Sequence, residues 1–146
     1  KGSDWNFKNF LFYDEAKALL ARLPKGERII TISEGPRDGA NVMQFGVPGL
    51  VSLGAEHSWS KAKAYLVLAL DADRIILMYD GDDSGRKAAE LAYADLSPYQ
   101  EVHDLILPYE TVEKEINGKL KKVRKKTLDP SDFTREQTRA LFDFYG

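Results

Sequence analysis

Residues 74–86 read Arg74-Ile75-Ile76-Leu77-Met78-Tyr79-Asp80-Gly81-Asp82-Asp83-Ser84-Gly85-Arg86. A short, unbroken apolar run that stops at acidic and glycine residues has the pattern of a strand buried on both faces of a parallel sheet. The residues that follow, Gly85 to Leu96, have a helical pattern ended by Ser97-Pro98. Outward from this unit the same alternation recurs. Further strands are expected at 28–33 (Arg-Ile-Ile-Thr-Ile-Ser), Pro48 to Leu53 and Glu101 to Leu107. Helices are expected from Asp14 to Leu23, stopping before Pro24, and from Arg37 to Phe45, closed by Gly46. Two more run from Ser58 to Leu70, with Ser58 or Ser60 as N-cap, and from Arg135 to Phe144 behind Thr134. Helices alternating with doubly buried strands imply right-handed βαβ crossovers. The expected fold is therefore α/β: a three-layer, open, mainly parallel sheet.

The whole chain has 146 residues, 43% hydrophobic and 30% charged, which suits one globular domain with a sizeable core. The longest apolar stretch, Ala62 to Leu70, is interrupted by Lys63 and Tyr65 and falls short of the roughly 18 residues a membrane span needs. No secretory apolar region is present, and the start at Lys1-Gly2-Ser3 is what a piece of a longer protein would show. The absence of cysteine excludes disulfides, thiol nucleophiles and zinc-thiolate sites. Twenty-one basic against 23 acidic side chains exclude a uniformly basic nucleic-acid-coating protein, though not local basic patches.

One segment departs from the alternation. Thr111 to Thr127 carries Asn117-Gly118 midway, the preferred pair for a two-residue hairpin turn. Pairing outward sets Glu115 opposite Leu120, Glu113 opposite Lys122 and Val112 opposite Val123. The expectation is an inserted β-hairpin with seven basic residues: Lys114, Lys119, Lys121, Lys122, Arg124, Lys125 and Lys126. Such lysines either guard exposed strand edges or meet nucleic-acid phosphates.

Ligands of open α/β sheets bind beyond the carboxyl ends of the strands. There this sequence places Glu34-Gly35-Pro36-Arg37-Asp38 after one strand and Asp80-Gly81-Asp82-Asp83 after another. Carboxylates gathered on facing strand ends repel one another unless a cation neutralises them, and hard oxygen donors favour Mg²⁺ or Mn²⁺. Asp83 and Ser84 are suited to cap the following helix, and Asp38 to complement a helix dipole. Arg86 and Lys87 open a helix, where cations are disfavoured, so they pair with nearby aspartates or with phosphates. Asp129, held extended before Pro130, is placed to reach the same sheet edge, whereas Asp132 is equally well a cap. His57 and His103 lack ligand-like partners in the sequence, and the aromatics Trp5, Phe7, Phe10, Phe12 and Tyr13 suit a packed lead-in segment.

Glu34-Gly35 with Asp38, followed by Asp80-x-Asp82 with Gly85-Arg86, resembles the Toprim domain, and within it the bacterial and phage DNA primases. The primase likeness extends to Ser52-Leu53-Gly54-Ala55, to Asp80 through Ala89, and to Leu107-Pro108 with Asp129-Pro130. Ala55 stands where threonine is usual, and Asp129-Pro130-Ser131-Asp132 replaces a common Asp-Pro-Asp. The resemblance implies a lead-in at 1–26 and a Toprim catalytic domain at 27–146, with the hairpin at 111–127 as an insertion. It implies phosphoryl transfer in which Asp80 and Asp82 hold one Mg²⁺ (or Mn²⁺). Glu34, Asp38 and Asp129 would serve a second ion, and Glu34 would do acid/base work. Arg86, Lys87, Lys121, Lys122, Arg124 and Lys125 would contact nucleic acid or nucleotide. The implied partners are single-stranded DNA, nucleoside triphosphates and a replicative helicase, with no membrane, in the cytoplasm of a bacterium or phage-infected cell. A Toprim nuclease or topoisomerase fragment and a non-catalytic nucleic-acid-binding scaffold are the alternatives. An EF-hand is excluded because Leu91 occupies the twelfth position from Asp80 and a strand precedes the loop. A phosphatase with an aspartate nucleophile would leave Glu34-Gly35 unexplained.

Overall fold

The computed structural model of the chain describes residues 10–53, 59–107, 109–126 and 130–145. Four parallel strands form the central sheet: β1 (Ile29–Ser33), β2 (Gly49–Val51), β3 (Arg74–Met78) and β4 (Glu101–Asp104). Their order is β2-β1-β3-β4. The helices are α1 (Tyr13–Arg22), α2 (Pro36–Gln44), α3 (Lys61–Ala69), α4 (Asp83–Leu96) and α5 (Arg135–Tyr145).

The alternation of side chains along β1 and β3 explains the three layers. Ile30, Ile32, Ile75, Leu77 and Tyr79 face a core built with α1, α3 and α4, through Ala16, Leu20, Val67, Ala88, Ala92 and Leu96. Ile29, Ile76 and Met78 face the opposite core, with Val42 of α2, Leu107 and Phe133. Both sheet faces are thus covered, as the continuous apolar strand runs required. The outer edge of β2 is met by Leu11, whose backbone exchanges two hydrogen bonds with Val51 at 2.9 and 3.2 Å. That pairing shields an edge otherwise open to another chain.

Several expected boundaries shift for identifiable reasons. β2 is shorter than 48–53, and β4 ends at Asp104, although a further bond from Leu105 N to Leu77 O prolongs its pairing. α2 begins at Pro36, whose fixed φ suits the first helical position. Ser60 is the N-cap of α3, its hydroxyl accepting from Lys63 N at 3.3 Å. Thr134 caps α5 reciprocally with Gln137: Gln137 N donates to Oγ1 and Thr134 N to the Gln137 amide oxygen.

A two-stranded antiparallel sheet, β5 (Tyr109–Ile116) and β6 (Lys119–Lys126), leaves the carboxyl edge after β4. Asn117 and Gly118 both have positive φ, 53° and 75°, as a type I′ turn demands. The register pairs Val112 with Val123, Glu113 with Lys122 and Glu115 with Leu120.

Lys63 of α3 is buried, with its ammonium 5.8 Å from the centroid of the Phe10 ring. Burial pushes this amine down to about 8 from its ordinary 10.5. Between those values the folded chain binds fewer protons at this site than the unfolded chain, so stability rises with pH across that window. Urea unfolding should show wild type gaining on the order of 1–3 kcal/mol relative to Lys63→Met as pH climbs through it. Parallel pH profiles for the two proteins would assign Lys63 no part.

Candidate metal centre

The strand order places the site. The chain leaves β1 towards β2 on one side, whereas β3 leads to β4 on the other. The loops after β1 and β3 therefore diverge and open a crevice at the carboxyl ends of two adjacent strands, the switch point where ligands of such sheets bind. Ser33 is level with Met78 in the ladder, so Glu34 comes level with Tyr79 and one residue short of Asp80, at the ends of neighbouring strands.

Glu34, Asp80 and Asp82 each direct a carboxylate oxygen into this crevice, and the three atoms lie within 4.8 Å of one another. Asp80 is buried, and the other two are half-buried. Three hard anionic donors at this spacing suit Mg²⁺ or Mn²⁺, which neutralise the mutual repulsion that confinement imposes.

Asp82 has a second task that the sequence reading assigned to Asp83 and Ser84. It is the N-cap of α4, its Oδ1 accepting from Gly85 N at 2.8 Å, while its carbonyl accepts the first helical bond from Arg86 N at 2.9 Å. The helix thus starts two residues before Gly85, and Asp83 occupies its first turn. Capping uses one oxygen of Asp82, and a carboxylate has a second to offer.

Gly85 permits this geometry. A Cβ there would lie 2.1 Å from the Asp80 carbonyl oxygen, and 2.8 and 2.9 Å from its carbonyl carbon and nitrogen. All three atoms are backbone, so only glycine lets the start of α4 sit directly on Asp80.

Asp38 does not join the three-acid group. It is almost fully buried, Oδ2 accepting from Gly35 N at 3.2 Å and Oδ1 from Ser131 N at 3.1 Å. The first bond closes the turn that carries Glu34, and the second ties the 130–132 turn to α2. Asn41 reinforces this tie by donating to the carbonyls of Pro130 and Phe133 at 3.0 and 2.9 Å. Asp129 lies outside the described residues, as do Gly54 to Ser58. Asp132 falls in the short 3-10 turn Pro130–Asp132.

Arg86 is likewise committed elsewhere than expected. Its guanidinium grips the carboxylate of Asp104 with two bonds of 2.8 and 3.1 Å, joining α4 to the end of β4. The partner is on the fourth strand rather than among the neighbouring aspartates. A cation in the first turn of a helix needs such an acid, and that was the signal by which Asp104 could have been found. Lys87 is exposed, and so are Lys121, Lys122, Arg124 and Lys125 of the hairpin.

Tyr79 forms a buried floor between the strands. Its hydroxyl accepts from Ser52 Oγ at 3.0 Å, and Ser52 Oγ also approaches the Ser33 carbonyl at 3.4 Å. Burial pushes the Tyr79 phenol above its ordinary range, the Ser52 bond opposes this, and the Glu34 charge adds to it. The ring therefore stays neutral behind the carboxylates.

The chain is similar in sequence and fold to known proteins. The Toprim domain model matches residues 29–107. The DNA helicase/primase of Enterobacteria phage T3 is 35% identical over 115 residues, and the match covers 74% of this chain and 20% of that protein. The DNA primases of two Neisseria meningitidis strains, of serogroups A and B, are each 36% identical over 109 residues, covering 67% of this chain and 18% of theirs. The chain thus spans about a fifth of the length of these relatives. The crystal structure of the Aquifex aeolicus primase (zinc-binding and RNA polymerase domains) superposes with a TM-score of 0.68 at 25% identity, over 96% of this chain and 30% of that one. The hairpin lies beyond the residues that the family model matches. That model takes in β1 to β4 and the loops bearing Glu34, Asp80 and Asp82, more than half of the sequence, and the chain belongs to the Toprim domain family.

Proposed function

We propose that this chain is the Toprim module of a DNA primase, catalysing metal-dependent nucleotidyl transfer that builds RNA primers on single-stranded DNA. The observation that carries this reading is the meeting of three carboxylate oxygens, from two adjacent parallel strands, within 4.8 Å at the switch point. The primase relatives supply the reaction class.

Glu34, Asp80 and Asp82 would hold Mg²⁺ or Mn²⁺. The bound ion supplies positive charge for the phosphate oxygens that gain charge during an in-line displacement. Asp80 and Asp82 position the site against the start of α4, which directs backbone N–H groups towards an incoming phosphate. Glu34, half-buried on the facing strand, accepts a proton from the attacking hydroxyl. Asp38 acts through Glu34, by holding the turn that carries it, and Asp129 is a further proposed ligand. Lys87 and a subset of the hairpin cations contact the nucleic-acid or nucleotide phosphates, and Arg86 braces α4. A replicative helicase is a proposed partner, as the phage relative's name suggests. Among the described residues no helix is long and apolar enough to cross a membrane, and the proposed setting is the cytoplasm of a bacterium or phage-infected cell.

The polypeptide that carries this chain, mixed with single-stranded DNA, ribonucleotides and Mg²⁺, should yield short RNA products that vanish with EDTA. Cleavage or relaxation of DNA without primers would instead select the nuclease or topoisomerase reading. Metal-independent DNA binding without any product would select the scaffold.

A further inference from the structure

The seven basic residues of the hairpin are not equivalent, because directly paired residues of an antiparallel ladder share a face and neighbours along a strand alternate. The register therefore sorts them. One face carries Lys114, Lys119, Lys121 and Lys125 with a single acid, Glu110, around the half-buried Val112, Ile116 and Val123. The other carries Lys122, Arg124 and Lys126 with Glu113 and Glu115.

On the second face Lys122 and Arg124 have companions. Glu113 stands directly opposite Lys122, and Arg124 lies 4.2 Å from the centroid of the Tyr109 ring, a cation–π contact. On the first face Lys125 stands opposite Glu110, but Lys114 stands directly opposite Lys121 and Lys119 opposite the apolar Ile116. Like charges in directly paired positions destabilise a two-stranded ladder. Guarding strand edges does not require this, since a charge on either face discourages further pairing. Two facing lysines flanked by two more make a site for a polyanion, which converts their repulsion into binding. Lys119, Lys121 and Lys125 follow one strand at intervals of about 6.8 Å or twice that, a row along which a phosphate backbone can run. The hairpin leaves the sheet at the carboxyl edge that bears the three acids, and β6 packs near α4.

We propose that the face bearing Lys114, Lys119, Lys121 and Lys125 is a contact surface for the backbone of single-stranded nucleic acid, and that Lys122 and Arg124 lie on the opposite, non-contacting face. This narrows the hairpin assignment made above. The choice of nucleic acid as the polyanion rests on the proposed primase function, whereas the asymmetry of the faces rests on the register.

The test is fluorescence anisotropy of a labelled mixed-sequence single-stranded oligonucleotide with the 146-residue protein, in EDTA, across a series of salt concentrations. EDTA keeps the readout independent of the metal centre. Lys114→Gln with Lys121→Gln should weaken binding and flatten the slope of log affinity against log salt by about 1.4, two contacts at about 0.7 each. Lys122→Gln with Arg124→Gln, an equal loss of charge, should leave the slope unchanged. Equal losses from both pairs would overturn the proposal in favour of net charge alone. Unchanged binding by the first pair would also overturn it, as would a wild type that does not bind the oligonucleotide. In each of these cases Mg²⁺-dependent primer synthesis still reports separately on the metal centre.

Discussion

Asp80→Asn should reduce Mg²⁺-dependent nucleotidyl transfer by about 10³-fold while leaving the metal-free protein as stable as wild type or more so. Losing a ligand that neutralises charge at the reacting phosphate costs several kcal/mol of transition-state stabilisation, which is the origin of that factor. The stability sign follows from geometry. Three carboxylate oxygens within 4.8 Å repel one another when no cation is bound, and removing one charge relieves about 1 kcal/mol. Urea unfolding in EDTA measures this gain. Adding Mg²⁺ should raise the stability of wild type by mass action and that of the variant far less. Asp82 separates two roles in one residue. Asp82→Asn keeps a capping oxygen for Gly85 N and should lose activity alone. Asp82→Ala should lose the activity and also about 1 kcal/mol of stability. If Asp80→Asn destabilises the protein in EDTA yet retains its Mg²⁺ response, the cluster is structural and the metal assignment falls.

Gly85→Ala should be the most damaging single-methyl change in the described core. The new Cβ would stand 2.1 Å from the Asp80 carbonyl oxygen and within 2.9 Å of two more backbone atoms, none of which can rotate aside. The start of α4 must then move off the end of β3, an overpacking cost of about 3 kcal/mol. For a chain of this length that corresponds to a fall in Tm of roughly 6–12 °C. The same movement carries Asp82 away from Asp80 and Glu34, so Mg²⁺ affinity should drop with stability. Ser84→Ala, one residue earlier and exposed, is the matched control and should change neither. Normal stability in Gly85→Ala would mean that the turn relaxes freely and that glycine is not required.

Much of this architecture was legible in the chain. The unbroken runs at 28–33 and 74–79 announced strands covered on both faces, and Ile30 and Ile76 indeed serve opposite cores. Asn117-Gly118 determined the hairpin register residue by residue, because a two-residue turn leaves only one way to pair the strands. Glu34, Asp80 and Asp82 were recognisable as acids at strand ends. Helix starts were less legible, since Asp82, Asp83 and Ser84 are all competent caps and only the packing of Gly85 on Asp80 selects among them.

What the sequence determined by itself is local: strand and helix alternation, the turn chemistry, and the presence of carboxylates and cations in short motifs. What the tertiary structure decided is which motifs meet. Glu34 and Asp80 are neighbours because the chain crosses from β2 over β1 to lay β3 beside it, burying both sheet faces under helices. Asp38 is turned from the acidic group because Ser131, 93 residues away, donates to it when the 130–132 turn docks on α2. Arg86 turned from the site because Asp104 arrives at the end of β4. Each of these outcomes depends on contacts between distant segments, whose pairing is set by the burial of the whole sheet rather than by any local pattern.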